Sequence, residues 1–242
     1  EIYSTIERES SHGKDFALIL PVGPVFQYRR LVELHRRRPL DFTHANFFFM
    51  DEYLDDPSTM ISAADPLSFR GFIDRELIEP LGETLRSDQV KFPTPGETEK
   101  YDRRLEALGG ARLCVAGVGI NGHVAFNEPP EQDENITDEE FGRLPTRVVA
   151  LTRETITINS NTALRGAYER VPKFAVTVGM RQILSSARIR IYLNRPWQSA
   201  VLRKLLFGSA SLRFPVSLLR GHGDIEVMAT EEVAQEPVVG LK

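Results

Sequence analysis

The sequence is poor in cysteine and lacks both long apolar runs and an excess of positive charge. Cys114 is the single cysteine of the 242 residues, so an internal disulfide is excluded and a reducing compartment is favoured. No apolar run approaches the roughly 20 residues that a membrane-spanning helix needs. The first residues show neither the basic nor the apolar region of a secretion signal. We therefore expect a cytoplasmic protein with no membrane partner.

The charge balance also argues against a nucleic-acid partner, since the formal net charge is −4 at pH 7. Charged residues make up 26% of the chain and hydrophobic residues 41%, which is typical of a globular protein with a substantial core. No repeat and no linker-like segment divides the sequence. We expect one domain over residues 1–242, either monomeric or assembled as a homo-oligomer.

Apolar runs that are typical of buried strands alternate along the chain with segments of helical spacing. The strand-like runs lie at 16–20, 46–50, 90–92, 113–116, 148–151, 174–178, 189–193 and 225–228. The helical segments lie at 25–37, 66–78, 97–108 and 198–207. Such alternation predicts an α/β fold: a Rossmann-like, open and mostly parallel sheet with helices on both faces.

The segment that follows the run 113–116 combines a glycine-rich turn with polar side chains. Its three glycines are Gly117, Gly119 and Gly122. His123 and Glu128 follow, five residues apart. Open α/β sheets bind ligands at the carboxyl ends of their strands, so this turn is a candidate site. Cys114 lies inside the apolar run, where a buried and inert thiol is expected rather than a nucleophile.

Five motifs together resemble the glucosamine-6-phosphate deaminase family, which is grouped by fold with 6-phosphogluconolactonases. In chain order they are LPVG at 20–23, FMDEY at 49–53, GVGINGHVAFNEP at 117–129, LTRETITINS at 151–160 and VPKFAVTVG at 171–179. They keep the order and spacing of the family from about residue 16 to residue 231. The DEY and FNEP residues favour the deaminase branch over the lactonases.

This resemblance implies a reaction that opens an amino-sugar ring, moves the C2 proton and releases ammonia. By the same resemblance, Asp51 is the base at C2, His123 opens the ring and Glu128 supports the histidine. The family's second supporting carboxylate is replaced here by Asn121, which can orient an imidazole but cannot stabilise an imidazolium by charge. The resemblance implies no metal and no organic cofactor, and its partner is a small sugar or amino sugar.

The residues that hold a sugar phosphate in the family are changed at three places. The first turn has lost its hydroxyls, and Pro24 lacks a backbone donor. Asn161 stands where the family has arginine, and Gln198 or Ser199 where it has lysine. The predicted substrate-binding positions are Val22, Gly23, Pro24, Glu52, Gly119, Gly122, Asn161 and Gln198.

Two interpretations of these changes stay open. In the first, the substrate lacks the phosphate and binds in a pocket relined by Val22, Val25, Trp197 and Gln198. In the second, the substrate keeps its phosphate, and an arginine from a different position binds it. The candidate arginines are Arg29, Arg30, Arg181 and Arg195.

Three functions are compatible with the motifs. The first is a divergent deaminase-type enzyme, favoured by Asp51, His123 and Glu128 occurring together. The second is a catalytically weakened sugar-binding or sensor protein, which has less need of all three residues. The third is a 6-phosphogluconolactonase-like hydrolase, which the DEY and FNEP residues disfavour.

Overall fold

The alternating runs and segments fold into two sheets with helices packed around them. The computed structural model describes residues 1–23, 26–131 and 133–236. Its strands are β1 Phe16–Leu20, β2 Ala45–Phe49, β3 Asp51–Asp56, β4 Thr59–Met60, β5 Val90–Lys91, β6 Ala111–Ala116, β7 Arg147–Ala150, β8 Phe174–Thr177, β9 Ile189–Leu193 and β10 Ile225–Ala229. Its α-helices are α1 Ile2–Ser10, α2 Gln27–Arg37, α3 Phe69–Ile73, α4 Glu79–Leu81, α5 Thr98–Ala107, α6 Asp138–Gly142, α7 Arg153–Leu164, α8 Met180–Leu184, α9 Gln198–Phe207 and α10 Glu231–Ala234.

Six strands pair in parallel in the order β10, β9, β6, β1, β2, β5, and helices cover both faces of this sheet. In β1, Phe16, Leu18 and Leu20 pack with the buried side chains of α1 and α2. Ala17 and Ile19 belong to the opposite cluster, with α5, α8 and α9. Successive side chains of a strand point to opposite faces, so an unbroken apolar run indicates a strand covered on both sides. The predicted α/β fold is confirmed.

Four strands form a second, antiparallel sheet in the order β4, β3, β8, β7, which the sequence did not indicate. The apolar runs at 148–151 and 174–178 contribute β7 and β8 to it rather than strands of the parallel sheet. Only Met50 separates β2 from β3, and its carbonyl accepts a hydrogen bond from Val178 N at 2.6 Å. Asp51 begins β3 and therefore lies where the two sheets meet.

The helices predicted at 25–37, 97–108 and 198–207 form as α2, α5 and α9. The segment 66–78 forms α3 and continues as a π-helical turn, Asp74–Ile78. Helix α7 gives little signal in the sequence because it buries only Thr155, Ile156 and Ser160. Among the described residues, no helix has both the length and the apolar character that crossing a membrane requires.

Candidate active site

A cavity of about 400 Å³ opens at the carboxyl ends of the parallel strands. Val22 and Gly23 follow β1, Asp51 follows β2, and Gly119 and His123 follow β6. The turn after β9 supplies the wall on the far side. The strand ends predicted to carry a site therefore converge on one cavity, as expected where neighbouring parallel strands end together.

Asp51 lines this cavity with an almost fully buried carboxyl group. The residue is 7% exposed, and its carboxylate accepts no hydrogen bond from the described part of the chain. Burial raises its pKa to about 8, with repulsion from the neighbouring charge of Glu52 as the second cause. A carboxylate without donors and with a raised pKa is a stronger proton acceptor than a solvated one once it is ionised.

The imidazole of His123 is held through its Nδ1 atom. Asn121 Oδ1 lies 2.9 Å from Nδ1, Glu128 Oε2 lies 3.1 Å away, and Thr155 Oγ1 also lies 3.1 Å away. The amide nitrogen of Asn121 donates to Glu128 Oε2 at 2.7 Å, which fixes the amide with its oxygen toward the ring. Because carboxylate and amide oxygens only accept, Nδ1 carries a proton, and Nε2 is left free of these contacts.

Glu128 is buried beside the histidine, but its environment favours the ionised form. Burial alone raises its pKa, yet attraction to His123 and hydrogen bonds from His123 and Asn121 outweigh burial, so the pKa is lowered. Thr152 Oγ1 donates a further bond to Glu128 Oε2 at 3.3 Å. The second carboxylate oxygen, Oε1, has no partner among the described residues.

Helix α7 brings two threonines to this cluster that the sequence interpretation left without a role. Thr152 is the N-cap residue, accepting from Thr155 N at 3.4 Å, and it also accepts from Asn121 Nδ2 at 3.1 Å. Thr155, in the first turn, contacts the histidine. A threonine followed by an acidic residue in the first turn, here Glu154, is a helix-start signal that could have identified Thr152 as the cap.

Gly119 and Gly122 have different structural roles. Gly119 lines the cavity as predicted, and a Cβ there would lie 2.2 Å from His123 Nε2, so only glycine lets the ring occupy its place. Gly122, which was also predicted to bind substrate, does not line the cavity. Its φ is +88°, and a Cβ would lie 2.3 Å from the Phe214 ring. It is needed for the turn and for packing.

Glu52 was predicted to bind substrate, but the structure places it away from the cavity. The residue is 0% exposed and does not line the cavity. Its carboxylate accepts bonds from Phe69 N at 2.9 Å, from Arg70 N at 2.7 Å and from the Ser68 hydroxyl at 2.9 Å. The unpaired amides at the start of α3 therefore bind this carboxylate, as is usual at a helix N-terminus.

Asn161 was also predicted to bind substrate, but the residue is exposed and does not line the cavity. Helical periodicity turns Asn159 and Thr162 to the cavity instead. Asn159 Nδ2 donates to the Tyr53 hydroxyl at 2.9 Å and so ties α7 to β3 across the site.

The remaining predicted contacts surround the far end of the cavity. Val22 and Gly23 line it, and Pro24 lies outside the described residues. Gln198 lines it too, but its amide oxygen accepts from Asn194 N at 2.8 Å and Arg195 N at 2.9 Å, while its nitrogen donates to Val118 O at 2.8 Å. Its polar atoms therefore hold the β9–α9 turn.

Of the four arginines considered as replacements, only Arg195 lines the cavity. Arg29 is bound to Glu76 at 2.7 Å, Arg30 to Glu33 at 3.0 Å and Arg181 to Asp102 at 3.2 Å. Arg195 is exposed, and its guanidinium makes no hydrogen bond or ion pair with a side chain in the described ranges.

Trp197 lines the same wall, as expected, and also packs against the core. Cys114 is buried, and burial raises the pKa of its thiol to about 12, as expected of an inert thiol. Within the residues that the structure covers, no cluster of three histidine, cysteine, aspartate or glutamate side chains is arranged to hold a metal ion.

Comparison with known proteins gives a consistent set of relatives, although no protein-family model matches the chain. The glucosamine-6-phosphate deaminase of Porphyromonas gingivalis is 30% identical over 233 residues, which cover 94% of this chain and 83% of that protein. The enzyme of the same name from Clostridium beijerinckii is 28% identical, over 97% of this chain and 93% of its own length.

The solved structure of a monomeric glucosamine-6-phosphate deaminase matches with a TM-score of 0.81 and 28% identity, covering 96% of this chain and 91% of that one. A 6-phosphogluconolactonase from Trypanosoma brucei matches with a TM-score of 0.70 at 18% identity, covering 96% of this chain and 90% of its own. The second likeness extends to the fold alone.

Proposed function

The chain belongs to the glucosamine-6-phosphate deaminase family and is an enzyme of the deaminase/isomerase type, and we propose that it converts a 2-amino aldose and water into a ketose and ammonia. The observation that carries this proposal is the shared cavity of Asp51 and His123. One is a buried carboxyl group without donors, and the other is an imidazole fixed by Asn121 and Glu128. These are the two proton-transfer groups that the reaction needs.

Ring opening is assigned to His123. With Nδ1 bound to Asn121 and Glu128, the free Nε2 takes the proton of the anomeric hydroxyl and returns one to the ring oxygen. The ionised Glu128 stabilises the imidazolium formed in between, which compensates for the missing charge at position 121. The product of this step is the open-chain amino aldehyde.

Isomerisation is assigned to Asp51. Its carboxylate removes the proton from C2, which the neighbouring aldehyde acidifies, and the enediol-type intermediate accepts a proton at C1. The resulting C2 imine is hydrolysed by water, so that the carbonyl moves to C2 and nitrogen leaves as ammonia. Phe126 and Tyr53 line the cavity beside these groups and limit the access of water to the reacting carbons.

For the substrate, we propose an amino sugar without a 6-phosphate. Support comes from three changes together: a first turn without hydroxyls, Asn161 outside the cavity, and Gln198 bound to the backbone. Each charge-assisted contact to phosphate contributes about 1.5–3 kcal/mol, so the loss of three lowers affinity by orders of magnitude. Val22 and Trp197 instead offer apolar surface to the far end of the sugar.

One observation favours the opposite choice, a phosphorylated substrate held by Arg195. This guanidinium lines the cavity at the turn where the family places its lysine, and it has no side-chain partner in the described part of the protein. A single arginine can bind a phosphate in a bidentate manner, although it replaces three contacts by one.

The test is the release of ammonia and the formation of ketose from glucosamine and from glucosamine 6-phosphate. We expect the larger kcat/KM for glucosamine, with Arg195→Gln leaving it unchanged. A preference for the phosphorylated sugar that Arg195→Gln abolishes would establish the second substrate. Turnover of neither sugar, nor of other 2-amino aldoses, would contradict the proposed reaction.

A further inference from the structure

A second cavity, of about 690 Å³, lies at the β5 edge of the parallel sheet against α5. We refer to it as the β5–α5 cavity. It shares no lining residue with the candidate active site, so any ligand it binds is a separate one. Basic and hydroxyl side chains dominate its polar lining: Arg70, Ser87, Lys91, Thr94, Lys100 and Arg104.

Lys91 is one of the cations that line this cavity, and it forms no ion pair with a carboxylate among the described residues. Its ammonium donates to Asn46 Oδ1 at 2.9 Å and to the carbonyl oxygen of Asp88 at 2.8 Å, and it lies 5.3 Å from the centre of the Phe48 ring. Burial lowers the pKa of Lys91 and repulsion from Arg104 lowers it further, while attraction to Asp88 and Asp15 offsets only part of this shift. A partly desolvated ammonium whose direct hydrogen-bond partners are neutral oxygens is stabilised further when an anion binds beside it.

Arg104 is the second cation without a partner. It extends from α5 into the same cavity and makes no hydrogen bond or ion pair with the described residues. The other cations that line the cavity are neutralised: Arg70 by Asp74 at 2.9 Å and Lys100 by Glu97 at 3.1 Å.

The acidic side chains around the cavity are also engaged. Asp88 lines the cavity, and its carboxylate is bound to Arg86 at 3.1 Å and makes no ion pair with Lys91. Glu97 is bound to Lys100. Two like charges, Lys91 and Arg104, therefore share a concave surface that holds no free acid among the described residues, and this arrangement repels cations and attracts anions.

We propose that the β5–α5 cavity is a binding site for the phosphate group of a small phosphorylated metabolite, held between Lys91 and Arg104. A lysine and an arginine are the two side chains that most often bind phosphate, one as a point charge and one as a planar fork. The volume lies within the range of about 300–1,000 Å³ that is typical of small-molecule sites and exceeds what a bare ion needs. Ser87 and Thr94 supply hydroxyls for the remaining polar groups of the ligand.

The test is isothermal titration calorimetry of the full chain with glycerol 3-phosphate and, separately, with inorganic phosphate at constant ionic strength. We expect one saturable event, tighter for glycerol 3-phosphate, and a loss of affinity of about tenfold or more in both Lys91→Met and Arg104→Gln. Arg103→Gln is the matched control, because Arg103 is adjacent on α5, carries the same charge, pairs with Glu99 and does not line the cavity.

Arg104 is exposed, so its variant is expected to fold even if Lys91→Met does not. The proposal is overturned if no saturable binding occurs, if Arg104→Gln binds like the wild type, or if Arg103→Gln loses as much affinity as Arg104→Gln. Tighter binding of inorganic phosphate than of glycerol 3-phosphate would overturn the assignment to a metabolite.

Discussion

Glu128 Oε2 lies 3.1 Å from Nδ1 of His123, and both side chains are largely closed off from solvent. The amide of Asn121 contacts each of them, at 2.7 Å and 2.9 Å. A single neutral side chain thus orients the acid–base histidine and its carboxylate together.

The first prediction concerns this bridge. Asn121→Ala is expected to lower kcat by about ten- to a hundredfold. The reason is that removing a hydrogen bond that orients a functional imidazole typically lowers activity by such a factor. KM should change little, since Asn121 does not line the cavity. Steady-state kinetics measure both constants. Asn121→Asp keeps an acceptor for Nδ1 and is the control, so equal losses in the two variants would contradict the orienting role.

The second prediction is the pH dependence of catalysis. The base must be ionised in the free enzyme, and the pKa of Asp51 is raised to about 8 by burial and by Glu52. We therefore expect kcat/KM to rise with pH through about 8, measured between pH 6 and pH 9.5. A profile that is already flat at pH 6 would show that Asp51 is ionised well below that value, contrary to its environment.

The third prediction concerns stability. An unfolded Asp51 ionises near pH 4 and the folded one near pH 8, so the folded protein binds the extra proton between these values and loses stability as pH rises. Asp51→Asn removes this loss. Its advantage over the wild type in free energy of unfolding should grow from pH 5 to pH 8, reaching a few kcal/mol at most. Chemical denaturation at the two pH values measures it, and an advantage independent of pH would argue against a protonated Asp51.

The fourth prediction separates two glycines of one turn. Gly119→Ala displaces the His123 ring, so activity should fall by about a hundredfold or more while stability changes modestly. Gly122→Ala combines a strained φ with a clash against Phe214 and should cost about 2–4 kcal/mol of stability. Kinetics and thermal unfolding of both variants test this pair. Equal effects on activity and stability in both would contradict the separate roles.

The sequence predicted the parallel sheet and the convergence of Asp51, His123 and Glu128 because those features follow from local apolar runs and from contiguous motifs. It could not predict the antiparallel sheet, since apolar runs such as 148–151 do not reveal which strand they pair with. Strand pairing depends on residues far apart in the sequence. The pairing of β3 with β8 also places Asp51 where the two sheets meet.

Glu52 and Asn161, both predicted to bind substrate, lie off the cavity for a common physical reason. Glu52 is adjacent to Asp51, but successive side chains of a strand point in opposite directions, so it meets the start of α3 instead of the cavity. Asn161 follows a motif on a helix that gave no periodic signal, so its face could not be assigned. Motif order predicts which residues approach a site, whereas the local backbone decides which of them face it.

The most direct test of the proposed mechanism is exchange of the C2 proton of glucosamine with D₂O, followed by NMR in the presence of the enzyme. Wild-type enzyme should transfer solvent deuterium into the substrate or into C1 of the ketose. Asp51→Asn should bind glucosamine with similar affinity and give no exchange. Exchange that persists in Asp51→Asn would contradict the assignment of Asp51 as the base.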